Sequence, residues 1–139
     1  RWYRYTIDNG AVVHPLRQRY AHWEPRRLNV QAMNAAAGQL LGWHDFSAFG
    51  QAPSPISSSV RRMDWAAVER DGETVTVDLK ATAFLRGMAR SITGTLLRVG
   101  SGVITPGEVG RILEQRARWE SGPPAPAKGL CLMGVSYES

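Results

Sequence analysis

The chain has 139 residues, 43% of them hydrophobic and 21% charged, which fits a single globular domain over residues 1–139 with a core of its own. A net charge of +5 and a pI near 10.0 favour a polyanionic partner. Nucleic acid ranks ahead of a membrane surface, because no helix sets a basic face opposite an aromatic one and no apolar run approaches the roughly 20 residues needed to cross a bilayer.

Trp2 to Ile7 opens the chain as a strand, with Tyr3, Tyr5 and Ile7 on one face and Trp2, Arg4 and Thr6 on the other. A start at Arg1, directly in a strand and without a signal peptide, is expected of a piece of something longer. Asn9-Gly10 breaks the strand, and a polar, proline-bearing connection runs to Leu28. Asn29 caps the next helix, and Leu28 with Met33 staples it. Val30, Met33, Ala37, Leu40 and Leu41 form its buried stripe, up to a left-handed cap at Gly42. Residues 43–60, rich in Ser, Pro and Gly, read as one long loop, a kind that is usually functional or disordered.

Arg61 to Glu69 and Thr74 to Ala81 read as a hairpin turning at Asp71-Gly72, with Val75, Val77, Leu79 and Ala81 toward the core. The stretch KATAFLRGMARSITG, residues 80–94, then predicts a helix that ends near Gly100. Its spacing puts Arg86 and Arg90 on one face and Leu85, Met88, Ile92, Leu96 and Val99 on a buried stripe. Thr105-Pro106-Gly107-Glu108 is a capping box that starts a short helix to about Ala117, stapled by Ile104 and Val109. A proline-rich loop, SGPPAPAKG, leads to a last strand, Leu130 to Tyr137.

This order predicts an α+β fold: a ferredoxin-like split β-α-β-β-α-β with an extra short helix, an antiparallel sheet carrying its helices on one face. The uncovered sheet face, expected to display Tyr3, Tyr5 and Ile7, would meet RNA, another domain or a partner subunit, and would promote self-association. An RNA-recognition motif shares the topology, but the strand TVTVDLKA lacks the aromatics that stack bases. His14, His22 and His44 have no metal-ligand spacing, so no metal is expected. His44-Asp45 reads as structural hydrogen bonding, and Gly100, Gly102, Gly107 and Gly110 as helix ends and turns, since they follow a helix and not a strand. The single cysteine, Cys131, excludes an internal disulfide and fits a reducing cytoplasm; in its apolar run it reads as a buried, inert thiol.

The pieces RWYRYTI (1–7), AMNAAAGQLLGWHDFSAF (32–49), VR (60–61), VDLKATAFLRGMARSITGTLLRVG (77–100) and APAKGLCLMGVSY (125–137) resemble, in order and spacing, the C-terminal half of a TruA-type tRNA pseudouridine synthase. The resemblance covers essentially the whole chain and implies half of the pseudouridine synthase fold. That family isomerises uridine to pseudouridine in the tRNA anticodon arm without a cofactor, in a basic cleft between two ferredoxin-like halves. By resemblance, Tyr3 matches the tyrosine that lies over the target uracil, and Arg90 the arginine that pairs with the nucleophilic aspartate. Both roles make chemical sense. A flipped base needs an aromatic face to replace its lost stacking, and a buried aspartate beside a guanidinium stays ionised and nucleophilic.

The family's Arg-Thr-Asp nucleophile motif belongs to the other half and is absent here; none of Asp8, Asp45, Asp64, Asp71 and Asp78 has its context. Arg62, Arg86 and Lys128 remain candidate phosphate contacts. The resemblance implies three partners: tRNA, the protein's own N-terminal half, and a second copy in a cytoplasmic homodimer. The chain alone is then expected to be inactive. Two rival readings stay open: a stand-alone, non-catalytic RNA-binding module, and a structural domain that assembles through its open sheet face.

Overall fold

Tyr5 and Ile7 bury their side chains almost completely, and this decides which face of the first strand meets the helices. In the computed structural model, which describes residues 1–135, β1 (Trp2–Asp8) lies at the centre of a six-stranded sheet. One edge of β1 pairs antiparallel with β5 (Thr74–Ala81), setting Tyr5 opposite Val77 and Ile7 opposite Val75. The other edge is shared. Residues 2–5 pair antiparallel with β6 (Leu130–Gly134), and Ile7 and Asp8 pair parallel with the two-residue β2 (His22–Trp23). Beyond β5 come β4 (Val60–Asp71) and then β3 (Gly42–Asp45), both antiparallel to their neighbours. Leaving out β2 and β3, the strands follow the ferredoxin-like order, last–first–third–second.

Three helices, α1 (Val30–Gly38), α2 (Met88–Gly100) and α3 (Pro106–Gln115), lie on one side of the sheet. Met33, Ala36 and Ala37 from α1, Met88, Ile92 and Leu96 from α2, and Val109 and Ile112 from α3 close one core over Tyr5, Ile7, Val75, Val77 and Leu79. The start signals act as read: the Asn29 side chain accepts from the Ala32 amide at 3.0 Å, and Glu108 accepts from the Thr105 amide at 2.9 Å.

Several expectations are corrected. Tyr5 and Ile7 face the helices, and Tyr3 shares that face half-buried; the open face carries Trp2 and Arg4 instead. Strand pairing explains this, because Tyr5 must share the face of its cross-strand partner Val77. The open face is consequently mixed in character. Lys80 lies between the rings of Trp2 and Trp65, at 4.6 and 6.0 Å, and Asp78 binds Arg4 at 2.8 Å and the Trp2 indole at 3.0 Å. Trp65 reaches that face through a bulge at Asp64, without which it would follow Met63 into the core.

α1 ends at Gly38, so Leu41 is exposed; Gly42, at φ +95°, begins β3 and does not cap the helix. The expected long loop therefore loses its first residues to a strand, and Phe46 and Phe49 anchor part of the remainder in the core. Cys131 is exposed opposite Arg4, because β6 pairs with β1 alone and its successive residues Cys131, Leu132 and Met133 all reach solvent at the sheet edge. The last strand is described to Gly134; Ser136 and Tyr137 lie outside the described residues.

Candidate active-site cleft

A glycine controls where the second arginine goes. Gly87 adopts φ +76° as the N-cap of α2, so the helix begins at Met88 and not before Arg86. Arg86 is therefore not on the helix, as its spacing had suggested. It lies in an extended arm whose backbone pairs with Gln51, N to O at 3.0 Å and O to N at 3.2 Å. Gly50 makes the approach possible, since a Cβ there would sit 2.7 Å from the Leu85 Cβ and 2.9 Å from the Arg86 carbonyl. Arg86 and Arg90 still reach the same place. Both line an open cleft of about 250 Å³ at the start of α2, with Ser91 and Arg118.

Arg90 is fixed from below. Its Nε donates to the Ala125 carbonyl at 2.8 Å, and the Ala125 amide donates back to the Arg90 carbonyl at 2.9 Å. The proline-rich loop can lie this close because residue 94 of α2 is glycine, and any Cβ there would strike the Pro123 carbonyl. One residue further on, the Pro126 carbonyl accepts from the Tyr5 hydroxyl at 2.5 Å, so the 125–126 backbone is clasped between strand and helix. Gly129 then rests on the Tyr5 ring, where an added Cβ would be 2.6 Å from two ring carbons. Burial pushes the Tyr5 hydroxyl up to about 12, with the charge of Arg90 acting in the opposite direction.

Tyr3 lies two residues before Tyr5 on the same face, half-buried, its ring edge-on to Phe84 with centroids 4.8 Å apart. Arg86, Arg90 and Arg118 line the cleft together, Tyr5 is tied to Arg90 through the 125–126 backbone, and Tyr3 with Phe84 is not part of the cleft lining. Among the described residues, no carboxylate lies within 4.0 Å of the Arg90 guanidinium, and four of the chain's aspartates are engaged elsewhere: Asp8 with Arg17, Asp45 with Arg116, Asp64 with Arg62 and Asp78 with Arg4.

Two expected phosphate contacts sit apart from this cleft. Arg62 pairs with Asp64 at 2.7 Å and stacks over Trp43, lining a separate recess on the open face with Arg1, Trp2 and Lys80. Lys128 is exposed in the short 3₁₀ turn before β6. Its charge reaches His22, whose imidazole is pushed down first by burial and further by Lys128, against an opposing pull from Glu24. Arg118 was missed by sequence reading. It opens a short 3₁₀ turn, Arg118–Glu120, and no spacing rule ties it to a helix that begins thirty residues earlier.

A scan against family models matches residues 36–138 to the tRNA pseudouridine synthase model. This chain belongs to the tRNA pseudouridine synthase family. The chain is 41% identical over 138 residues to tRNA pseudouridine synthase A of Pelobacter propionicus, covering 99% of this chain and 56% of that protein. It is 43% identical over 138 residues to the Syntrophotalea carbinolica protein of the same name, and 40% identical over 139 residues to that of Paramagnetospirillum magneticum. The chain spans about half the length of these curated relatives, 54–56%. Arg90 and the loop that clasps it lie inside the region matched by the family model, whereas Tyr3 precedes that region and is reached only by the pairwise likenesses.

Proposed function

We propose that the chain is the C-terminal half of an enzyme that isomerises uridine to pseudouridine in the anticodon arm of tRNA, and that it is inactive without its N-terminal half. The observation that carries this reading is Arg90: a guanidinium held at Nε by the protein's own backbone, at the mouth of a basic cleft, with no carboxylate partner among the described residues. A preceding half carrying an Arg-Thr-Asp motif would supply that partner. Beside the guanidinium the aspartate keeps a low pKa and attacks the nucleotide as the ionised nucleophile. Tyr3, edge-packed on Phe84, offers its ring to the extruded uracil in place of the lost base stacking.

Arg86 takes a backbone phosphate at the cleft, whereas Arg62 and Lys128 lie outside the cleft lining and are not assigned to this contact. The complete protein acts as a cytoplasmic homodimer and uses no cofactor or metal. The test is an assay for pseudouridine in unmodified tRNA. The chain joined to its preceding half forms pseudouridine, and the 139-residue chain alone forms none. Turnover by the isolated chain, or none by the joined protein, rejects the reading. The rival non-catalytic RNA-binding module predicts tRNA binding with no turnover from either.

A further inference from the structure

The three-arginine cleft does not end at Arg118. A second depression, bounded by Ser47, Ser54, Ser57 and Ser59 of the segment between β3 and β4, adjoins it and shares two lining residues with it, Gly50 and Arg118. Together they form one groove from Arg90 and Arg86, past Arg118, into a hydroxyl-lined trough. No acidic side chain lines either part. Glu120 is paired with Arg111, and Asp45, bonded to the trough residues Ser47 and Ser59, is satisfied by the Ser59 hydroxyl, the Ser47 amide and Arg116. Burial would raise its carboxyl, but those hydrogen bonds and the Arg116 charge hold it below its ordinary value, so it remains a committed anion.

We infer that this groove is a track for the RNA strand flanking the reacting nucleotide, with Arg118 as the phosphate-binding residue at its midpoint; this deepens, and rests on, the reading above. Arg118 makes one long bond, Nη1 to the Gly50 carbonyl at 3.4 Å, which aims the side chain and leaves most of its five N–H donors for a planar, two-point grip on a phosphate. The wall is stiff, because the Gln51–Arg86 backbone pair ties the serine-bearing segment to the arm that carries Arg86. Length selects the occupant. Two adjoining depressions of about 250 and 480 Å³ extend past the space a single phosphate fills, and hydroxyls following guanidiniums suit an extended polyanion.

The test measures binding of an unmodified tRNA transcript to the 139-residue chain joined to its preceding half, across a salt series. Variants are Arg118→Ala, Arg118→Lys and, as a charge control outside the groove, Arg27→Ala. Arg118→Ala lowers affinity about tenfold at low salt, the loss of one charge-assisted contact. It also flattens the log–log salt slope by about 0.7, one single-strand phosphate. Arg118→Lys restores the slope without full affinity, and Arg27→Ala stays near wild type. Inorganic phosphate at millimolar concentration fails to displace the tRNA. If Arg118→Ala and Arg27→Ala are equivalent while wild type binds tRNA and forms pseudouridine, the groove is overturned and the enzyme reading survives. If inorganic phosphate displaces the tRNA at low concentration, the site holds a free anion and the strand track is overturned. If the wild type neither binds nor modifies tRNA, both readings fall.

Discussion

Arg90 and Tyr3 make separable contributions in the proposed enzyme. Replacing Arg90 by Ala strips the aspartate of its cation in a partly buried site, a loss on the order of 3–5 kcal/mol. If it falls on the transition state, that is about a hundredfold or more in rate. Tyr3→Phe keeps the ring, so tRNA affinity barely changes, and its single-turnover rate at saturating tRNA falls less than that of Arg90→Ala. A near-wild-type rate for Arg90→Ala would remove this helix from the active site. Tyr5 has a pH signature. Unfolded tyrosine ionises near pH 10, while burial holds the folded hydroxyl to about 12. The folded state therefore keeps the proton longer, and the stability this confers is whole below pH 10 and drains away as pH rises through 12. Urea midpoints should decline across that window in the wild type and decline less in Tyr5→Phe, which is also weaker at neutral pH by about 1 kcal/mol for the lost bond to Pro126. Equal alkaline slopes in the two proteins would show that Tyr5 is not the group responsible.

At the scale of elements, the cleft depends on three close approaches: loop onto helix at Gly94, turn onto ring at Gly129, and arm onto segment at Gly50. Gly129→Ala drives a methyl into the Tyr5 ring and toward the Thr6 carbonyl, where neither backbone nor buried ring can yield cheaply. Overpacking of this kind costs about 1–3 kcal/mol. Calorimetry should show a lowered Tm, and in the joined enzyme activity should fall further than Tm alone accounts for, because the displaced segment is the one that anchors Arg90. Activity that tracks stability alone would mean the clasp does not aim the guanidinium. Asn29→Ala is the contrasting case. It removes one cap of α1, far from the cleft, and costs about 1 kcal/mol with the pseudouridine rate of the folded protein unchanged.

For the whole molecule, the net charge of +5 and the all-basic cleft predict tRNA binding without catalysis by the isolated chain. Its affinity should fall steeply with salt, because counterions released into a more concentrated solution gain less entropy. A salt-independent interaction would point to the open face, where Lys80 is already held between tryptophan rings and Arg4 and Arg62 are already paired with aspartates. The earlier basis for self-association is gone, since Tyr5 and Ile7 are inside; the open face is a mosaic of rings and ion pairs.

Local signals determined much of this protein. The periodicity of 88–99 fixed the buried stripe of α2, the Asn29 and Thr105-to-Glu108 signals fixed two helix starts, and Asp71-Gly72 fixed the hairpin. Each is a property of a few adjacent residues, and the resemblance to pseudouridine synthases rode on the same segments. What the sequence did not reveal depends on partners distant along the chain. Which face of Trp2–Asp8 is buried follows from its pairing with Val75 and Val77, and the exposure of Trp65 follows from a one-residue bulge that no local pattern announces. Arg86 leaves the helix because Gly87 takes a left-handed turn, a conformation glycine permits but does not require. Arg118 joins Arg86 and Arg90 only when the chain has folded back on α2, because convergence of side chains from three separate segments is a property of tertiary structure alone.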